Sequence, residues 1–329
     1  MRRWLRWLPA DGFVVALLAV VALAAMFPAS GAFGDALSVA TKIVIALLFA
    51  LYGARLAPAE ALHGLRHWRL HLLVLAATFI VFPLLGLAAK ALVPSLLTPA
   101  LYTGVLFLCL VPSTVQSSIA FTSIARGNVP AAIVSASLSN IVGVVLTPLL
   151  VVLLMQTTGG VRVDGSAVLD IVLQILLPFV VGQLLRPLVS GWLDRHPVIT
   201  KVFDRGSILL VVYTAFSLSV TQHIWSAVSA LRILEVAAVC VLLLAVMLAL
   251  TVGTSRLAKL NRADMTVLLF CGSKKSLASG LPMALVFFGP GAAGLIMLPL
   301  IIFHQIQLLV CAAIASRMSR AQVNEVSSG

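Results

Sequence analysis

Two lysines interrupt an apolar segment in the second half of the chain, in residues 267–276, which read VLLFCGSKKS. An apolar run ends at Gly272, and small and polar residues follow it. Lys274 and Lys275 lie about eleven residues or more from either end of the predicted membrane span 263–288. A lysine at the centre of a membrane helix costs about 2.5–3.5 kcal/mol on insertion scales, so such residues usually mark function. The stretch therefore predicts an interrupted membrane helix with a functional role.

A similar interruption occurs in the first half of the chain. Residues 105–118 read VLFLCLVPSTVQSS, so that Pro112 ends an apolar run and small and polar residues follow. Backbone groups in hydrocarbon must be hydrogen-bonded, so a broken helix persists only where it lines a protein-walled cavity. Paired breaks in corresponding places of two halves point to the midplane site of a transporter. For either break alone, a kink at Pro112 or close packing at Gly272 is the structural alternative.

The composition of the whole chain is that of a membrane protein. It is 61% hydrophobic and 10% charged, whereas soluble domains are about 45–50% apolar and about 25% charged. A bilayer core needs roughly 20 apolar residues per helix. The predicted spans are approximately 12–29, 36–54, 70–94, 98–125, 129–156, 166–185, 206–225, 231–254, 263–288 and 291–315. The sequence predicts an all-α membrane protein of about ten transmembrane helices, forming a single membrane domain over residues 1–329.

The spans divide into two halves in which the interrupted segments hold the same position. The breaks fall in the fourth and the ninth span, so each is number four of a five-span unit. Because five is odd, the second unit is inserted upside down relative to the first. We therefore predict inverted repeats over residues 12–156 and 166–315, with helices 4 and 9 broken and crossing.

The basic residues alternate between the two sides of these spans. Sixteen of the 22 lysines and arginines fall in loops on one side, three fall in loops or near span ends on the other, and three lie deeper within spans. Since positive loops stay in the cytoplasm, both termini are predicted to lie there, in a multi-pass protein of the cell inner membrane. The alternation accounts for the net charge of +12 without a nucleic-acid partner.

Two roles are open for the lysine pair. The ammonium groups could cap the negative carbonyl ends of the first half-helices. Alternatively, with the positive N-termini that begin near Ser118 and Ser276, they could hold an anionic substrate, and one lysine could serve each role. The predicted substrate- or ion-binding residues are Lys274, Lys275, Ser276, Ser273, Gln116, Ser117, Ser118, Asn140, His304 and Gln305. Ser135, Ser137 and Ser139 of the fifth span are predicted to be small packing residues.

Acidic residues avoid the middle of the predicted spans. Asp170 and Glu235 enter spans, each within about a turn of an end. Sodium prefers oxygen ligands, and its usual carboxylate ligand is absent, so Na⁺ stays open as a coupling ion but is disfavoured beside two ammonium groups. No cofactor or metal is predicted, since the four cysteines show no CxxC or Cys/His spacing.

The stretch 270–284 (FCGSKKSLASGLPMA), together with residues 112–128, resembles the bile acid:sodium symporter family. More narrowly, it is similar to a divergent bacterial branch related to a eukaryotic member implicated in calcium regulation. The resemblance covers nearly the whole chain. It implies a core of spans three to five and eight to ten, a panel of spans one, two, six and seven, and a substrate bound between them with alternating access.

The resemblance has a gap at the ninth-span break. Sodium symporters of the family carry Glu-x-Gly-x-Gln-Asn there, and of these Gly272 matches. Phe270 stands in place of the Glu, Lys274 in place of the Gln and Lys275 in place of the Asn. The resemblance therefore implies the fold, without sodium coupling or bile-acid specificity.

The sequence thus favours a secondary transporter, symporter-like, for a small organic anion. The alternative is a non-transporting membrane regulator of ion homeostasis that retains the transporter fold, with lysines that lock the crossing as a fixed cation would. An enzyme is disfavoured because no nucleophile–base arrangement is visible. The expected partners are a small organic anion and the lipid bilayer, with the oligomeric state left open.

Overall fold

The computed structural model describes residues 12–55, 67–155, 172–221 and 229–327. Within these ranges the chain forms helices and connecting turns without a β-strand, which confirms the all-α prediction. The helices are α1 (Gly12–Met26), α2 (Gly31–Arg55), α3 (Trp68–Leu92), α4 (Pro99–Leu110), α5 (Gln116–Ile124), α6 (Val129–Met155), α7 (Leu173–Arg195), α8 (Pro197–Thr221), α9 (Ala230–Leu257), α10 (Arg262–Gly272) and α11 (Leu277–Ser327). The beginning of predicted span 166–185, with Asp170, and the end of span 206–225 lie outside the described residues.

Seven helical segments among the described residues are long and apolar enough to cross a membrane, judged by length and composition. They are α2, α3, α6, α7, α8, α9 and the part of α11 over Ala292–Arg320. α1 and α4 are apolar but shorter. Gly289, with φ of 67°, interrupts the helical conformation inside α11, because glycine adopts a positive φ without steric cost.

Side-chain caps fix the starts of three helices that build the site. Thr98, Asn128 and Asn261 each accept the backbone N–H of the residue three positions later, at the starts of α4, α6 and α10. Such caps stabilise a helix by about 0.5–2 kcal/mol. Asp264 places a carboxylate in the first turn of α10, where the helix dipole favours negative charge.

By internal packing the chain divides into two units. One comprises Met1–Leu56, Val163–Ser229 and Leu281–Met297. The other comprises Ala57–Arg162, Ala230–Gly280 and Leu298–Gly329. Apart from residues 281–297, the first unit contains the spans that the resemblance assigns to a panel, and the second contains those it assigns to a core.

The first unit is held by close helix packing and by hydroxyl contacts. At Gly182 in α7, a side chain would overlap the carbonyl oxygen of Ala50 in α2, so the two backbones touch. The hydroxyls of Thr41 and Thr214 are 2.8 Å apart and join α2 to α8. Small residues allow such approach between membrane helices, where packing drives association.

Candidate functional site at the paired helix breaks

The two predicted helix breaks are present in the second unit, and they contact each other. Residues 111–115 separate α4 from α5, and residues 273–276 separate α10 from α11. At 12 and 11 residues, α4 and α10 are each about 16–18 Å long, far short of the roughly 30 Å of a bilayer core. The backbone N–H of Ser276 donates to the carbonyl oxygen of Pro112 at 2.8 Å. Two half-helices therefore end against each other.

The Lys275 ammonium caps backbone carbonyls. Its Nζ donates to the carbonyl oxygens of Cys109 and Val111 at 2.8 Å each and to that of Thr78 at 2.9 Å. Cys109 and Val111 lie at the C-terminus of α4, where the helix dipole is negative. Thr78 lies in a turn of π-helix, Ala77–Val81, within α3. All three ammonium donors are used, and the side chain is fully buried.

The backbone of Lys275 is fixed as firmly as its side chain. Gln307 of α11 accepts the Lys275 N–H at 2.8 Å and donates to its carbonyl oxygen at 2.9 Å. The ring of Phe82 lies 4.2 Å from Nζ and that of Phe79 lies 5.9 Å away, within the range of cation–π attraction. The geometry is that of the capping role.

Lys274 has different surroundings, although it is equally buried. Its Nζ donates to the hydroxyl of Ser117 at 3.3 Å, its one hydrogen bond within the described ranges. The ring of Phe121 lies 4.3 Å away and that of Phe270 lies 5.8 Å away. The other two of its three donors have no hydrogen-bond acceptor among the described residues. Ser117 is half-buried, and the neighbouring Gln116 is exposed, so Lys274 lies one hydroxyl behind the surface of α5.

Side chains of the first break and of α5 cap the end of α10. Ser113 and Ser118 donate to the carbonyl oxygens of Cys271 and Phe270, respectively. Ser273 donates back to its own helix, as a serine can. Thr147 of α6 donates to the carbonyl oxygen of Leu110 at 2.8 Å, at the end of α4. These bonds satisfy carbonyl groups that helix ends leave without a partner.

Asn140 joins the first break to the first turn of α11. Its Nδ2 donates to the Ser113 carbonyl oxygen at 3.0 Å, and its Oδ1 accepts from the Ser279 hydroxyl at 2.9 Å. Its neighbour Ser139 accepts the Ser113 N–H at 3.1 Å. The prediction that the fifth-span serines only pack is wrong for Ser139, and also for Ser135, whose hydroxyl lies 2.7 Å from Nδ1 of His71. Buried backbone groups at the break need these partners.

The two polar residues predicted on the tenth span differ in their contacts. His304 accepts a hydrogen bond from Gln307 at 2.9 Å and is thereby linked to Lys275. The amide nitrogen of Gln305 is buried without a hydrogen-bond partner among the described residues. Sequence reasoning missed Thr78 and Thr147, because each lies among apolar neighbours, at a distance along the chain from either break.

The crossing is rich in hydroxyl, amide and ammonium groups. Among the residues that the structure describes, no carboxylate bonds to either lysine. In the same ranges, no group of three or more His, Cys, Asp or Glu side chains is placed to hold a metal ion. The positive charge is therefore balanced by carbonyl dipoles and aromatic rings.

Comparison with known proteins shows similarity over nearly the whole chain. The model of the SBF-like CPA transporter family matches residues 11–320. An uncharacterised protein of Pseudomonas aeruginosa is 50% identical over 315 residues, which is 96% of this chain and 94% of that protein. The Escherichia coli protein YfeH, named as a candidate symporter, is 47% identical over 312 residues, covering 94% and 93% of the two chains. Sodium/bile acid cotransporter 7-A of Xenopus laevis is 28% identical over 308 residues, covering 91% and 89%.

Proposed function

Because this chain belongs to the SBF-like CPA transporter family, we propose that it is a secondary transporter that moves a small organic anion by alternating access. The family is one of membrane transporters rather than enzymes. The observation that carries the proposal is a pair of fully buried ammonium groups where two broken helices meet. Intramembrane cations are costly and usually serve transport or binding.

The proposed architecture is ten helices in two inverted repeats over residues 12–156 and 166–315. It is supported by breaks at residues 111–115 and 273–276, which hold the fourth position of each repeat. The alternation of basic loops supports a location in the inner membrane with both termini in the cytoplasm.

The anion binds at the first turn of α5. Of the two buried lysines, Lys274 has the less engaged ammonium, with one hydrogen bond at 3.3 Å. Its partner Ser117 is half-buried and the neighbouring Gln116 is exposed, both in the first turn of α5, and a helix N-terminus carries partial positive charge. Ser118, Ser273, Ser276, Asn140 and His304 hold the frame of the crossing around this turn.

Transport does not require sodium. The name of the Xenopus relative includes sodium, but Phe270 occupies the place of the carboxylate in the sodium symporters that this chain resembles. The crossing already holds two ammonium groups, and a further cation beside them is opposed by charge repulsion.

Uptake by the purified protein in liposomes tests the proposal, with a panel of labelled carboxylates and sulfonates. We expect Lys274→Gln to reduce uptake at least about tenfold, equivalent to about 1.4 kcal/mol, while the protein stays folded. Lys90→Gln is the matched control, because Lys90 is exposed, and it should leave uptake unchanged. The proposal is wrong if the protein takes up no anion of the panel and if none of these anions raises its unfolding temperature.

A second function, a membrane regulator that does not transport, is favoured by the saturated hydrogen bonding of Lys275. A regulator needs both lysines only to lock the crossing. Lys274→Gln would then lower the unfolding temperature, and neither the wild-type protein nor the variant would take up an anion. If the protein is a transporter, Lys274→Gln instead abolishes uptake and leaves the unfolding temperature unchanged.

A further inference from the structure

The site around the Lys275 ammonium has the form of a binding site for a free monovalent cation. Three carbonyl oxygens from two backbone segments converge on one point, at 2.8–2.9 Å from Nζ. Rings of backbone carbonyls are how proteins replace the hydration shell of a monovalent ion. The face of Phe82, 4.2 Å away, closes the site with a group that attracts cations.

These oxygens are available because of the fold, independently of the lysine side chain. Cys109 and Val111 lie where α4 ends, so their carbonyls lack partners in the helix. The π-helical turn shifts the hydrogen bonding of α3, with the Phe82 N–H donating to Ala77, and the Thr78 carbonyl oxygen accepts from Lys275. Without a cation, three buried acceptors would be left unpaired.

The positive charge at this carbonyl cluster must come from a group that needs no carboxylate partner. No carboxylate contacts the ammonium in the described part of the chain. The negative end of the α4 dipole lies at the site, so a single positive charge is matched by dipoles alone. A tethered ammonium meets this requirement permanently, since it cannot dissociate.

We propose that Lys275 is a tethered cation that occupies a monovalent-cation site, so that the crossing needs no free alkali ion in any step of the cycle. Removal of the side chain would expose a latent site for a primary ammonium ion. The inference deepens the proposed function by naming what supplies the positive charge at the crossing, and only its consequence for coupling rests on that function.

Chemical rescue of the full-length Lys275→Ala variant tests this inference. We expect its unfolding temperature to fall by about 5–10 °C, because three buried acceptors lose their partner. Ethylammonium or propylammonium chloride should recover more than half of that loss, in a saturable manner. Tetramethylammonium, a cation without an N–H donor, should not.

Two matched variants control for general effects of the salts. Lys275→Met keeps a stem of similar size without the charge, so it should be destabilised and should not respond to amines. Lys274→Ala removes an ammonium that faces one hydroxyl and no carbonyl cluster, so amines should not stabilise it. If amines raise the unfolding temperature of all variants alike, or if Lys275→Ala is as stable as wild type, the inference is overturned.

The wild-type protein gives a test that does not depend on folding of the variants. Its unfolding temperature should be the same in sodium, potassium and choline chloride, and a saturable rise with sodium would overturn the inference. These readouts are separate from uptake. Rescue without uptake of any anion would remove only the proposed function, and uptake without rescue would remove only this inference.

Discussion

At the scale of residues, two adjacent lysines differ in the hydrogen-bond partners of their ammonium groups. Lys275 places three donors on three carbonyl oxygens, whereas Lys274 has one hydroxyl and two aromatic rings. A fully satisfied buried charge rigidifies its surroundings, and a partly satisfied one is costly. The sequence marks both lysines, because they interrupt an apolar run, and the structure buries both; their depth in the membrane stays a prediction. Their separate roles could not be predicted, since the partners of Lys275 are backbone oxygens, which any residue provides.

Gln307 gives a prediction at this scale. Gln307→Leu removes both hydrogen bonds to the backbone of Lys275 and leaves a buried N–H and C=O unpaired. Each unpaired group costs about 1–3 kcal/mol, so we expect a loss of about 2–6 kcal/mol in thermal unfolding of the detergent-purified protein. Gln305→Leu is the control on the same helix, because its amide nitrogen has no partner among the described residues, and it should change stability by less than about 1 kcal/mol. Equal losses in the two variants would contradict the role of Gln307.

At the scale of elements, residues of each broken helix cap the carbonyl end of the other. The breaks at Pro112 and Gly272 could be predicted, since proline and glycine end apolar runs that polar residues follow. The packing around them could not, because it depends on distant positions. Gly143 of α6 is one of these, since a Cβ there would lie 2.7 Å from Cβ of Pro112. The absence of a side chain lets α6 pack against the first break.

Substitution at this glycine tests the packing. Gly143→Ala forces a methyl group against the rigid Pro112 ring, and such overpacking costs about 1–3 kcal/mol. Gly253→Ala in α9 is the matched control, since a Cβ there meets nothing within 4 Å. Alanine should stabilise that helix by about 0.5–1 kcal/mol. Opposite shifts in the unfolding temperature of the two variants are expected, and a stabilised Gly143→Ala would disprove close packing at the break.

At the scale of the whole molecule, the composition of the sequence predicts the fold class, but it does not predict which spans pack together. An all-α membrane protein follows from long apolar runs, and the described residues confirm it. The structure groups distant segments into two units. Before the structure, only the resemblance implied such a grouping, because no local pattern encodes which spans pack together. The inverted repeat and the sidedness of the loops remain predictions.

Labelling of exposed positions tests the sidedness. Lys90→Cys and Lys259→Cys, each in a background without the four native cysteines, place a thiol at residues that are exposed. Positive-inside orientation predicts that a membrane-impermeant maleimide labels only Lys90→Cys in intact spheroplasts. Both should react after the membrane is permeabilised. Labelling of Lys259→Cys from outside would reverse the proposed topology.

The reciprocal capping of the breaks has a consequence for how the chain is made. Cys109 and its partner Lys275 are 166 residues apart, an interval that a ribosome takes on the order of 10–30 s to translate. Throughout that time the end of α4 is already synthesised, while the lysine that will cap it does not yet exist. The nascent chain must therefore keep this stretch hydrated or sheltered by the insertion machinery until residue 275 emerges.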